Sequence, residues 1–159
     1  YLTEIHPQGQ AFVRTLAAAL AVGGRGAAFF IDYGFPEQEY WHPQRNEGTL
    51  MCHRAHQADA DALADPGEKD ITAHVDFTGV ALAAQDSGLS VLGYTSQARF
   101  LLNCGLGPLL DAADLPTRAQ AHTLVAEHEM GELFKVIGLC TGEPWDALGF
   151  AVGDRSHRL

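Results

Sequence analysis

Apolar and polar positions divide the chain into alternating blocks. From Pro7 onward, Phe12, Val13, Leu16 and Leu20 recur at helical spacings until Gly23-Gly24, which predicts a helix over about 7–22 with proline in its first turn. Residues 27–31 form an unbroken apolar run closed by Asp32-Tyr33-Gly34, the pattern of a parallel strand covered on both faces. Asp76 is placed to cap a helix over 77–87 that Gly88 closes. Residues 89–95 then read as a strand, 97–104, 107–113 and 117–128 as helices, and 133–140 as a last strand. Between Phe35 and Asp70 the period is lost. Only 49–52 reads as a short strand there, and 55–64, poor in bulky apolar groups, as a mobile helix or lid. Helix, glycine turn and buried strand in that order define an α/β class, in which the carboxyl ends of the strands face the ligand crevice.

Composition narrows the partners. The 159 residues are 47% apolar, enough for a core and, by length alone, for one domain. The formal net charge of −10 excludes nucleic acid and anionic membrane as main partners, since both are gripped by clustered cations. No apolar run approaches the roughly 20 residues that span a bilayer. Cys52, Cys104 and Cys140 are odd in number and widely spaced, which points to a reducing compartment, cytoplasm or an organelle matrix, rather than a disulfide framework.

Three constellations carry possible chemistry. At the end of a strand, Asp32 can hydrogen-bond a ligand, Tyr33 can stack on it and Gly34 lets backbone approach; the alternative is a simple strand terminator. Asp70, Thr72, His74 and Asp76 fall at every second position, so that an extended segment would project them to one side, a histidine flanked by carboxylates. The alternative is a helix entry whose Thr and Asp make capping bonds. His42, Cys52, His53 and His56 are metal-type ligands without a recognised ligand spacing, and no metal is expected. Gly23-Gly24-Arg25-Gly26 precedes a strand and Gly105-Leu106-Gly107 follows a helix, whereas a nucleotide loop follows a strand and opens a helix. Glu127, Glu129 and Glu132 read as a solvated helix edge.

Several segments taken in order resemble the carboxyl-terminal half of the MidA family, which includes protein arginine methyltransferases of mitochondrial complex I assembly. They are Glu4-Ile5, the strand ending Ile31-Asp32-Tyr33-Gly34, Glu47-Gly48-Thr49-Leu50 with His53, and Pro66-Gly67. The block from Asp70 to Phe77 (DITAHVDF), Thr95-Ser96-Gln97-Ala98 with Phe100-Leu101, and Met130 to Val136 (MGELFKV) complete the likeness.

The resemblance implies an α/β fold, the C-terminal part of a Rossmann-like class I methyltransferase sheet with its substrate-side loops and helices. It implies S-adenosyl-L-methionine (SAM) as cofactor and methyl transfer to a protein, with arginine as the acceptor. Asp70, His74 and Asp76 are then the candidate catalytic residues, and Asp32, Tyr33, Gly34, Gly48, Thr49, His53, Thr72 and Gln97 the candidate substrate-binding ones. The family's glycine-rich SAM loop, its ribose acid and an Asn-Glu segment lie upstream of the matched part, so no residue here is assigned to the cofactor. Four predicted strands are fewer than such a sheet holds. The expectation is therefore an incomplete C-terminal portion of one domain, inactive alone and weak or silent toward SAM. A non-catalytic binding or assembly module on the same fold is the alternative, and a metal-dependent hydrolase a more distant one. A homodimer is compatible with either. The location expected is cytoplasmic for a bacterial-type protein and the mitochondrial matrix for a eukaryotic homologue.

Overall fold

Helix α1 (Pro7–Val22) carries Pro7 in its first turn, where a missing amide hydrogen costs nothing, and stops at Gly23. The computed structural model, which describes residues 1–54 and 57–159, continues with β1 (Ala27–Phe35) and the single turn α2 (Glu37–Tyr40). Three short strands follow, β2 (Met51–Arg54), β3 (Gln57–Asp59) and β4 (Asp70–Thr72), then the two-residue β5 (Val75–Asp76) leading directly into α3 (Phe77–Asp86). Strand β6 (Leu89–Ser96), helices α4 (Gln97–Asn103), α5 (Leu106–Ala112) and α6 (Leu115–Val125), and strand β7 (Phe134–Thr141) complete the order.

The main sheet has the order β5-β1-β7-β6. β1 runs antiparallel to β7 from Ala27 opposite Cys140 to Tyr33 opposite Phe134, and β6 runs antiparallel to β7 on its other side. β5 is parallel to the end of β1, at Gly34 and Phe35. Thus β1, β5 and β6 point one way and β7 the other. Central β7 has every residue from Lys135 to Cys140 buried.

On one face, Val13 and Ala17 of α1 meet Phe77, Ala81 and Ala84 of α3 over Tyr94, Ile137 and Leu139 of the sheet. On the other, Phe29 lies 6.0 Å from Phe100 and 6.3 Å from Phe150, ring centre to ring centre. Phe150 presses against the sheet where side chains are missing: a Cβ at Gly93 would stand 2.3 Å from its Cγ and one at Gly138 2.7 Å from its Cε2. These glycines are required by approach, not by φ.

Strand β1 is not covered on both faces, as its apolar run predicted. Phe29 is 46% and Ile31 49% exposed. Among the described residues, the edge of β1 opposite β7 is paired only at Gly34 and Phe35. The region without period is also more ordered than the sequence predicts. β2 is the middle of a sheet ordered β3-β2-β4, with Cys52 fully buried, and β3 replaces part of the helix expected over 55–64. Ala55 and His56, on which that expectation also falls, lie outside the described residues. No described helix is long and apolar enough to cross a membrane.

Candidate active site

The end of β1 builds the site. Asp32 is exposed and its Oδ1 accepts the Tyr33 amide hydrogen at 2.8 Å. Two residues apart, Tyr33 and Phe35 project to the same face of the strand. There the His74 ring meets Tyr33 edge-on at 5.2 Å and stacks on Phe35 at 4.8 Å with 16° between planes. Gly34 makes this possible, because a Cβ on it would fall 2.2 Å from the Val75 carbonyl oxygen of the neighbouring strand. The Arg45 guanidinium carbon lies 3.9 Å from the centre of the Phe35 ring, a cation–π contact.

His74 is held from the other side by its backbone, whose N–H donates to Thr49 Oγ1 at 2.9 Å. Thr49 in turn donates its amide hydrogen to the Glu4 carboxylate at 3.0 Å, and its hydroxyl to the same group. Tyr40 adds a third donor, 3.1 Å from Glu4 Oε1. Gly48 enters this turn at φ +79, and a Cβ there would stand 2.2 Å from Glu4 Oε2. A small cleft of about 100 Å³ is lined by Glu4, His6, Tyr40, Trp41, His74 and Asp76. Nδ1 of His74 is buried without a hydrogen-bond partner.

Electrostatics follow from burial and neighbours. Burial, aided by Arg45, holds His74 below its ordinary value of 6.5, so the imidazole is neutral at neutral pH. Burial raises Glu4, but the bonds from Thr49 and Tyr40 outweigh it and leave the carboxyl below 4.5. Burial, then the Glu4 charge, pushes the Tyr40 phenol far up, so it remains a donor. Both shifts of Glu4 and His74 are depressions. The unfolded chain binds the proton first in each case, so stability is full above pH 6.5 and falls as the pH drops toward the folded values. Denaturant midpoints are accordingly expected to decline from pH 7 to pH 4, and His74→Phe to flatten the decline between pH 6.5 and 5. A slope unaltered in that variant would assign the transition to other groups.

The structure thus brings Tyr33, Gly34, Gly48, Thr49, His74 and Asp76 together, with Asp32 exposed on the adjoining strand end. It separates the others. Asp70 and Thr72 belong to the small sheet, whereas Asp76 lies in the main one with His74 just before its β5, so the four positions are divided between two sheets. Thr72 Oγ1 donates to the Met51 carbonyl, and exposed His53 faces exposed Asp70 across β2 and β4. Asp76 caps α3 through the Gly79 amide at 3.0 Å, so the capping reading holds for it. Gln97 is buried on α4 and donates to the Leu124 carbonyl at 2.9 Å.

One charged group differs from its sequence reading. Glu132 is no solvated edge: its carboxylate pairs with Arg155, at 3.3 Å for the second arm, and its main-chain carbonyl accepts from Lys135. Arg158 of the polar tail reaches Glu39 beside the site. Lys135 is 6% exposed, and burial lowers its pKa. Among the described residues no three His, Cys, Asp or Glu side chains converge as metal ligands; His42 Nδ1 accepts from the Gln44 amide, and His56 lies outside the described residues.

Helices flanking a sheet in which one antiparallel strand sits between parallel ones, with a polar strand end at the crevice, define the α/β architecture of the class I methyltransferases. The chain belongs to the family described as "Putative S-adenosyl-L-methionine-dependent methyltransferase", which matches residues 1–95. It is similar to a COG1565 superfamily member from Burkholderia thailandensis bound to S-adenosyl-homocysteine, with 52% identity, a TM-score of 0.88, and coverage of 99% of this chain and 42% of that one. A native structure of a COG1565 superfamily protein from the same organism gives a TM-score of 0.92 at 52% identity, covering 99% of this chain and 43% of that one. The mitochondrial protein arginine methyltransferase NDUFAF7 of Danio rerio is 34% identical over 140 residues, 83% of this chain and 31% of the relative. That of Homo sapiens is 32% identical over 148 residues, with 86% and 31% covered. The chain therefore spans about a third of these curated relatives.

Proposed function

We propose that this chain is the C-terminal, substrate-side part of a SAM-dependent methyltransferase whose acceptor is an arginine side chain of a protein. The observation that carries the reading is the 52% identity over 99% of the chain to a protein bound to S-adenosyl-homocysteine. The NDUFAF7 relatives support arginine as acceptor, and a mitochondrial location for eukaryotic forms.

The residues described do not by themselves form a cofactor cradle. Gly24 and Gly26 lead into β1, and Gly105, at φ +94, opens α5 after a helix. A loop that grips a nucleotide follows a strand and opens a helix. The unpaired edge of β1, with Phe12, Ile31 and Val80 beside it, fits a further strand of the same sheet carrying that loop. SAM supplies the methyl group when bound; the duty left to this chain is to bind and orient the acceptor. The −10 charge suits a cationic acceptor, and the Glu4–Asp76 cleft with Tyr40 and Trp41 offers carboxylates and aromatic faces to a guanidinium. Neutral His74, which lines the same cleft, is the group suited to take a proton.

The protein carrying this chain together with its SAM loop is expected to place methyl groups on arginine in a protein or peptide, read by mass spectrometry. Methylation confined to another residue type would remove the arginine assignment. Residues 1–159 alone are expected to show no calorimetric signal with SAM at tens of micromolar, and tight stoichiometric binding would overturn the division of labour.

A further inference from the structure

Glu4 is the least explained charge in the site. It precedes a helix, where a carboxylate is ordinarily solvated, yet it is part-buried and takes three donors from two distant segments. Those segments are the end of α2, through Tyr40, and the Gly48-Thr49 turn. The same Thr49 oxygen that donates to Glu4 accepts the His74 amide hydrogen. A second tie, from the Leu2 amide to the Asn46 carbonyl at 2.9 Å, fastens the lead-in of α1 to the same turn. Gly48 leaves the room: its left-handed φ and its closeness to Glu4 Oε2 admit no side chain.

We infer that Glu4 is a positioning residue: by orienting the Thr49 hydroxyl it fixes where His74 stands against Tyr33 and Phe35. This rests on the proposed function only for its catalytic consequence. The geometric logic is independent of it. A carboxylate offers acceptors only, so the Thr49 hydroxyl hydrogen is committed to Glu4 and its lone pair is left for the His74 N–H. An amide at position 4 has one acceptor oxygen and one donor group for the same three donors. The hydroxyl then loses its fixed direction, and the His74 amide its partner. Because a neutral hydrogen bond replaced by a disordered one is felt locally, the effect is expected at 46–49 and 73–74 and not in β6 or β7.

The test reads the His74 amide in the 159-residue protein by hydrogen exchange under native conditions. Glu4→Gln and Thr49→Val are each expected to speed exchange at the His74 N–H at least tenfold, with Ile137 and Leu139 amides unchanged. Thr49→Ser, which keeps the hydroxyl, is expected to restore the wild-type rate. The double variant is expected to be no faster than either single one, since both break one chain of bonds. Exchange at His74 within twofold of wild type in Glu4→Gln and in Thr49→Val would overturn the inference; should Glu4→Gln fail to fold, Thr49→Val against Thr49→Ser decides it alone. In the methyl-transferring protein Glu4→Gln is expected to lower kcat at least tenfold with KM for SAM unchanged. If His74→Ala retains full turnover, the proton-accepting role proposed for His74 fails while the exchange result stands.

Discussion

Gly34→Ala is expected to destabilise the protein by about 3 kcal/mol or more, a drop of roughly 6–12 °C in Tm for a chain of this size. Overpacking is usually relieved by a side chain that swings away. Here the atoms met are backbone: the Val75 carbonyl oxygen at 2.2 Å and the Val75 nitrogen at 2.9 Å, with Phe77 Cε2 at 2.8 Å. The only relief is to part β1 from β5, which also moves Asp76 and the start of α3. Gly138→Ala is the informative comparison, because its nearest obstacle is the edge of the Phe150 ring at 2.7 Å, and a ring can tilt. Chemical denaturation of both variants measures the difference. A cost below about 0.5 kcal/mol for Gly34→Ala would mean that β5 is not held against β1 as described.

The second large effect concerns turnover. In the methyl-transferring protein, His74→Ala is expected to lower kcat about 100-fold, the lower end of what a positioned proton acceptor contributes. Its backbone bond to Thr49 survives the substitution, so the surrounding turn is retained. His74→Gln keeps a hydrogen-bonding group of similar reach without a base near neutrality, and is expected to behave like alanine if proton transfer matters. The wild-type kcat profile is expected to fall on the acid side at a pH below 6.5, since burial and Arg45 depress the imidazole. Full activity in His74→Ala would leave the imidazole as a packing group between Tyr33 and Phe35.

The sequence shows most of the framework because local chemistry and tertiary packing agree there. Pro7 and Gly23 delimit α1, Asp76 caps α3, and the apolar runs ending at Ser96 and Cys140 are buried strands. β3 and β4 are hidden for a physical reason, and β2 is read only in part, as 49–52. They are three or four residues long, mostly exposed, and carry Arg54, Gln57 and Asp70, so no alternation distinguishes them from loop. The burial of β1 was overread, since an apolar run reports what a strand can cover and not what lies beside it. At the site, Tyr33, Thr49 and His74 were legible as a set only through motif order. Glu4 enters only as part of the Glu4-Ile5 motif, without a role, and Tyr40 carries no pattern of its own. Their importance comes from contacts across 36 and 45 residues, which spacing along the chain does not encode.

The placement of β7 also sets a timetable for synthesis. Gly26 and Thr141, bonded to each other at the mouth of the sheet, lie 115 residues apart, and β1 from Ala27 to Tyr33 waits for β7. At about 5–20 residues per second a ribosome needs roughly 6–23 s to supply it. During that interval Phe29, Phe30 and Ile31 lack their β7 partner, and an apolar strand with an open edge is the kind of segment chaperones retain. Yield in the cell is therefore expected to follow translation speed and chaperone supply more closely than it follows the equilibrium stability of the finished sheet.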